Sequence, residues 1–300
     1  MSRLWAIVGA TGTGKTALSL DLAERITHEW GRSVEIVNAD AMQLYRGMDI
    51  GTAKLPPQER RGIPHHLFDV IEPRNEATVA WYQPTARQRI TEIFARGGDA
   101  VLVGGSGLYV SSVLYDFQFP PRDPAVRAEL EHELAQHGVA PLLTRLRALD
   151  AQAAEHVDAR NPRRVVRALE VALLGGAAQV TLPEAPQYWH ADTRVIGVHC
   201  ERAVLVERLD VRVTQMWADG MLREVDVLRA QGLEQGATAS RAIGYAQALA
   251  QLRGELSEAE AIAETQALTR RYARRQVSWF KRYREAHWLD APDAHAVSLQ

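Results

Sequence analysis

Apolar runs and helical stripes alternate along the first 120 residues of the chain. Residues 3–8 make a short continuous apolar strand pattern, and residues 17–26 repeat apolar positions at helical spacing. Residues 34–38 read as a second strand, ending in Asn38-Ala39-Asp40. Residues 99–103 read as a third, running into Gly104-Gly105-Ser106-Gly107. Between these two strands, residues 87–95 carry a helix, with Pro84 near its start or at a kink. Residues 42–54 mix apolar and polar positions without a clean period, as a functional loop with one helical turn does. After a break at 119–124, three helical patterns follow at 125–137, 140–149 and 163–174, closed by Gly175-Gly176 and by Pro183 to Pro186. Residues 194–199 return to a strand pattern and rejoin the sheet. A long helix then carries Glu207, Arg208, Asp210, Arg212, Gln215 and Met216; Gly220 marks an end, and 222–230 continue helically. Residues 240–245 form a polar-to-aromatic loop entering another helix. Residues 269–284 form the last long helix, and the tail after Asp290 reads as a strand remnant and loose end.

Composition works mainly by exclusion. With 46% hydrophobic and 24% charged residues the chain is an ordinary globular protein. The single cysteine, Cys200, excludes an internal disulfide and a cysteine-rich zinc site, and a reducing, cytoplasmic setting is expected. No apolar run approaches the roughly 20 residues of a spanning helix. The chain enters a strand at once, which leaves no room for a signal peptide, so no membrane association is expected. A net charge of −2 gives no global bias toward nucleic acid, so any such surface must be local.

Residues 9–16 read Gly9-Ala10-Thr11-Gly12-Thr13-Gly14-Lys15-Thr16, between a strand and a helix, and fit G-x-x-x-x-G-K-[ST]. Glycines let successive backbone N–H groups converge on one anion, and the helix dipole adds about half a positive charge there. Lys15 supplies a point charge and Thr16 a hydroxyl for Mg²⁺. The chain therefore binds a polyphosphate. The expected architecture is an α/β fold, a P-loop-containing parallel sheet flanked by helices, with an inserted all-helical domain. The core spans 1–121 and 187–300 and the insertion 122–186.

Other residues admit two readings each. Asp40 follows a strand, so it projects toward the phosphate-loop crevice; a turn or helix cap is the alternative. His65 and His66 are structural or substrate-edge groups rather than a metal pair, because neighbours on a strand point apart. Arg160, Arg163, Arg164 and Arg167 share a helix face, solvated or RNA-contacting. The 269–284 helix interleaves Arg271, Arg274 and Arg275 with Tyr272, Trp279, Phe280 and Tyr283, aromatics toward the core and cations toward a polyanion. A small-molecule kinase or NTPase would share the phosphate loop, but the third strand ends in glycines and a serine where a Walker-B acid is expected. A guanine-reading N-K-x-D is missing as well.

The chain closely resembles the bacterial tRNA dimethylallyltransferases, the tRNA isopentenyltransferase family. The resemblance rests on GATGTGKT (9–16), NADAMQLYRGMDIGTAK (38–54), GIPHHLFD (62–69), VGGSGLY (103–109), NPRRVVRALEV (161–171), SRAIGY (240–245) and TRRYARRQVSWF (269–280), in order and at family spacing. It implies a P-loop-kinase-like core with a helical insertion. The implied reaction moves a dimethylallyl group from dimethylallyl diphosphate to N6 of adenosine 37, 3′ of the anticodon, in tRNAs reading codons that begin with U. On that resemblance the amides of residues 11–16, Lys15, Arg212 and a Mg²⁺ on Thr16 stabilise the departing diphosphate, and Asp40 is the general base, with no need for a raised pKa. Ser106 stands where the family commonly has Thr, and Ala41 replaces a usual Ser, while Met42 and Gln43 complete that stretch. A monomer is expected to hold the tRNA anticodon stem-loop through Asp40, Ala41, Met42, Gln43 and Ser106. Further contacts are implied for Arg163, Arg164, Val165, Val166 and Arg167, for Arg241, Ala242, Ile243, Gly244 and Tyr245, and for Arg271, Arg274 and Arg275.

Overall fold

The computed structural model of the protein describes residues 2–116, 119–176 and 187–299. They form two compact units, Met1–Tyr115 with Tyr188–Gln300, and Asp116–Gln187. The sequence reading put these limits at 121 and 187; its closing prolines, Pro183 and Pro186, lie outside the described residues.

The larger unit begins with β1 (Leu4–Val8), α1 (Lys15–Trp30), β2 (Val34–Asn38), the two-residue β3 (His65–His66), α2 (Val79–Ala95), β4 (Asp99–Gly104) and α3 (Gly107–Leu114). The smaller unit holds α4 (Pro124–His137), α5 (Val139–Leu149), α6 (Ala151–His156) and α7 (Pro162–Leu173). The larger unit resumes with β5 (Thr193–Val198), α8 (Arg202–Ala218), α9 (Met221–Ala230), α10 (Tyr245–Leu252), α11 (Glu258–Phe280) and β6 (His287–Leu289). The six strands pair in the order β3-β2-β4-β1-β5-β6, all parallel.

β1 is central, and every one of its residues is buried. A sheet covered on both faces demands such a continuous apolar run. From β1 the chain crosses through α1 to β2 and returns through α2 to β4. Right-handed crossovers in opposite directions put α1 and α2 on opposite faces. On the α1 face, Trp5, Ile7, Ile36, Val101 and Ile196 pack with Leu18, Leu22 and Ile26. The carboxyl ends of β1, β2 and β4 thus carry the phosphate loop, Asp40 and the Gly104–Ser106 turn at one edge of the sheet.

Several elements differ from the sequence expectation. Residues 42–54 contain turns and no helix, with Tyr45 bridging to Ile71. α2 begins at Val79, where the Thr78 side chain accepts the Trp81 N–H, and it carries Pro84 inside. α11 begins eleven residues earlier than the aromatic-basic pattern suggested, because Ser257 and Glu260 form a capping box. α6, short and alanine-rich, escaped the periodicity and is capped by Asp150. In the smaller unit Leu130, Leu142, Leu146, Val165, Val166 and Leu169 form a core of their own.

The C-terminal tail is a packed element and not a loose end. Ala294, Val297 and Leu299 are buried against the α1 face. Arg25 donates to the Ala294 and Val297 carbonyls at 2.6 and 2.8 Å, and Arg3 donates to the Leu299 carbonyl at 2.6 Å. Leu299→Ala should lower the unfolding free energy by about 2 kcal/mol in a urea titration; a change near zero would return the tail to the solvent.

Candidate active site

Several helices here borrow a side chain for their start: Thr78 for α2, Asp123 for α4, Ser257 for α11. α1 has none. Its N-cap is Gly14, left-handed at φ 93°, with no side-chain hydrogen bond and no acid in the first turn. The first N–H groups of a helix need partners. Among the described residues no protein acceptor takes the N–H groups of Gly12 to Thr16, so the site is built for an external anion. The Gly14 conformation also brings the loop flush against the tail, since a Cβ there would lie 2.7 Å from Cγ of Pro292.

The rest of the loop looks inward. Thr13 is buried and its hydroxyl donates to the Ala10 carbonyl at 2.9 Å. Ala10 packs with Leu205, Leu209 and Ala273, and Gly9 is closed in by the Val198 carbonyl. The Thr11 N–H is held by Gln276 Oε1 at 2.9 Å. The amides left to an anion therefore start at Gly12, one residue later than the resemblance implies.

One cavity is lined by Thr11, Gly12, Gly14, Lys15 and Thr16, by Asp40 and Gln43, by Gly104 and Gly105, and by Arg212 and Gln276 from α8 and α11. Ile36, Leu55, Phe68 and Val103 form its apolar wall beside His65. A wider groove shares Gly12, Ala53 and Arg212 with it. Arg212 Nη1 donates to the Thr11 hydroxyl at 3.3 Å. Burial lowers the pKa of this guanidinium, which keeps its charge all the same. Burial also draws the Lys15 ammonium down to about 8, with Arg212 adding and Asp40 opposing. Lys15 Nζ rests on the Ala10 carbonyl at 2.6 Å.

Asp40 satisfies both sequence readings at once. Its Oδ1 accepts the Met42 N–H at 2.9 Å, so it caps its own turn, and it is the one carboxylate lining the cavity among the described residues. Burial raises its pKa, against the Met42 and Gln43 N–H groups and the Lys15 charge, so its proton affinity exceeds that of an ordinary aspartate. Asn38 fixes the turn from below, accepting the Asp40 N–H and donating to the carbonyls of Asp40 and Leu67. Ser106 Oγ accepts the Ala41 N–H at 3.1 Å, so this hydroxyl steadies the turn through the backbone.

Two residues of α11 belong here, Tyr272, which the sequence assigned to packing, and Gln276, which it left unassigned. Gln276, buried, donates to the Gly105 carbonyl at 2.8 Å and so ties the β4 end to the phosphate loop. Tyr272 lies one turn earlier on the same face, and burial with the Asp40 charge pushes its hydroxyl up to about 12, against the polar groups of Ser106 and Gln276. A buried Gln on an aromatic face was the available signal. The histidines part ways: His65 lines the cavity with its Nδ1 on the Ile63 carbonyl, and His66 pairs with Glu35 at 2.6 Å.

The basic residues divide. Arg163 and Arg164 are exposed on α7, while Val165 and Val166 are fully buried in the helical unit and cannot reach RNA. Arg167 is committed to the Pro120 and Pro121 carbonyls and to the buried Glu170. Of the 241–245 run, Arg241 is exposed, Ile243 is half-buried, and Ala242, Gly244 and Tyr245 are buried. Arg271, Arg274 and Arg275 are exposed along α11.

Lys15 is charged below about pH 8 and neutral above it, and a bound diphosphate restores its proton. At pH 8 pyrophosphate binding in metal-free buffer should therefore draw about half a proton more than binding to Lys15→Arg, whose guanidinium does not titrate. Calorimetry in two buffers of different ionisation enthalpy reads the difference; equal uptake would mean Lys15 is charged throughout.

Comparison with known proteins shows the family. The sequence model of the IPP transferase family matches residues 43–283. The tRNA dimethylallyltransferase of Clavibacter sepedonicus is 58% identical over 98% of this chain and 95% of its own length. That of Thermobifida fusca is 52% identical over 98% and 92%. The crystal structure of a tRNA isopentenylpyrophosphate transferase from Bacillus halodurans superposes with a TM-score of 0.68 at 37% identity, over 96% of this chain and 90% of the other. A eukaryotic dimethylallyltransferase solved acting on tRNA reaches 0.79 at 26% identity, over 99% and 75%. An uncapped phosphate loop facing a single carboxylate, together with sequence identity along nearly the whole chain, makes this protein a member of the IPP transferase family, the tRNA dimethylallyltransferases.

Proposed function

We propose that this chain transfers the dimethylallyl group of dimethylallyl diphosphate to N6 of adenosine 37 of tRNAs reading codons that begin with U, releasing diphosphate. The observation that carries the reading is the pairing, in one cavity, of an anion cradle with a single carboxylate. Phosphoryl transfer calls for a second acid near the metal, and β4 offers Gly104, Gly105 and Ser106 there instead.

The bond from the allylic carbon to the diphosphate oxygen breaks as the bond from that carbon to N6 forms. The electron pair leaves on the diphosphate. The Gly12–Thr16 amides, Lys15 and Arg212 offset the negative charge gathering there, in preorganised electrostatic stabilisation. Asp40 takes the N6 proton, and its raised pKa makes it a better acceptor than a solvated aspartate. The residues present fit Mg²⁺ carried on the diphosphate: Thr16 and Asp40 line the cavity and would offer it oxygens, and no cluster of three acidic, His or Cys side chains among the described residues would compete for it. Bound there, it would neutralise further charge on the leaving group. The acceptor base must leave its stack to reach Asp40. The exposed Arg163, Arg164, Arg241, Arg271, Arg274 and Arg275 provide phosphate contacts for the anticodon stem-loop.

Incubation with labelled dimethylallyl diphosphate, Mg²⁺ and either tRNA or ATP tests the reading. Label in tRNA supports it, and phosphate released from ATP replaces it with a kinase. Asp40→Ala should lower kcat at least ~10²-fold with tRNA affinity nearly intact; turnover within a few-fold of wild type would remove Asp40 as base. Arg163→Glu combined with Arg164→Glu should reduce the slope of log affinity against log salt by about 1–2, and an unchanged slope would leave both arginines on a solvated face.

A further inference from the structure

Glu224, in the first turn of α9, lines neither the cavity nor the groove beside it. Its carboxylate is nevertheless fully engaged. Oε2 accepts the N–H groups of Ile50 at 2.7 Å and Asp49 at 3.2 Å. Oε1 accepts the Tyr245 hydroxyl at 2.6 Å and the Gly51 N–H at 3.4 Å. Three successive backbone amides converging on one point form an anion-binding concavity. Here the anion is a side chain contributed from more than 170 residues away in sequence.

Tyr245 opens α10 with its ring fully buried. A Cβ on Gly51 would lie 2.5 Å from that ring and 2.7 Å from Cε of Met221. The turn is therefore pressed flat against α9 and α10, and only glycine fits the contact.

From this turn a short path of hydrogen bonds and backbone leads to the reacting carboxylate. Thr52 and Ala53 follow at once and line the cavity. Their carbonyls accept Gln43 Nε2 at 3.0 and 3.5 Å. Gln43 itself belongs to the Asp40 turn, next to Met42, whose N–H the Asp40 carboxylate accepts at 2.9 Å. At the far end of the loop Lys54 Nζ donates to the Tyr45 carbonyl at 2.8 Å and pairs with Asp49 and Asp69. Lys54 so ties the two ends of the segment together through Asp49, and Glu224 holds its amides from α9.

We infer that Glu224 and Tyr245 are positioning residues for the transfer reaction, placing Asp40 through the 49–53 loop and Gln43 without touching either substrate. This assigns Tyr245 a role in shaping the cavity wall rather than in touching RNA, and leaves Arg241 on the surface. It rests on the transfer reading above.

The test is steady-state transfer to an anticodon stem-loop, with pyrophosphate affinity measured alongside. Glu224→Gln keeps the shape but turns an amide N–H₂ toward the backbone amides. Its kcat should fall about 10-fold while KM for dimethylallyl diphosphate and pyrophosphate affinity stay within about 2-fold, because the phosphate loop is untouched. Tyr245→Phe keeps the ring packing, loses one donor and should show the same split at about 3-fold; it decides the matter should Glu224→Gln fail to fold. In the double variant with Gln43→Ala the link to Asp40 is already cut, so adding Glu224→Gln should cost less than about 2-fold more. Wild-type turnover in both single variants, or full multiplication of effects in the double variant, overturns the inference. A wild-type protein that labels no tRNA overturns the transfer reading instead.

Discussion

Withdrawal of unlike charges from water into one cavity is the constraint on which the rest of the structure depends. Lys15 and Arg212 both lose proton affinity by burial, and Asp40 gains it. Each is at odds with its surroundings until a polyanion arrives, because the two cations outnumber the one carboxylate. The fold meets this cost through neighbours rather than solvent. The Ala10 carbonyl holds Lys15, the Thr11 hydroxyl holds Arg212, and the Met42 N–H holds Asp40. A diphosphate supplies the missing negative charge, and its departure as a leaving group is eased by the same cations.

Such a cavity works only if its parts keep their spacing, and the molecule secures them by ties between distant segments. Gln276 clasps the phosphate loop with one end of its amide and the β4 turn with the other. Ser106 steadies the backbone of the Asp40 turn, and Asn38 braces it from β2. Glu224 fills an amide concavity on the loop opposite. Each tie is a buried or half-buried hydrogen bond, and these are costly to leave unmade. The same logic explains why Asp40 is at once a turn cap and a reactive group. One carboxylate oxygen fixes the geometry, and a carboxylate has lone pairs to spare for a proton.

The arginines show how one residue type divides between scaffold and surface. Arg167 and Arg127 both pair with the buried Glu170, because a carboxylate without solvent must have partners. Arg3 and Arg25 hold the C-terminal tail by its carbonyls. Arg163, Arg164, Arg271, Arg274 and Arg275 keep their guanidinium groups in water, where long-range attraction to a phosphate backbone costs no desolvation in advance.

The sequence alone determined whatever depends on neighbours along the chain. The apolar run of β1, the helical stripe of α1 and the glycine-rich turn between them are local patterns with local physics, and so the phosphate cradle was legible. Asp40 was legible too, because a residue after a parallel strand must emerge at the carboxyl edge of the sheet. Tertiary structure decided which polar side chains cross between segments. Tyr272 read as packing and Tyr245 as RNA contact, Gln276 and Glu224 drew no reading, and each meets its partners only because α9, α10 and α11 fold back onto segments far earlier in the chain. It also decided that Val165 and Val166 turn inward and that the tail is core. Burial is a property of the assembled fold: whether a helical position faces solvent, a neighbour or a cavity is set by what packs against it, and no spacing along the chain carries that information.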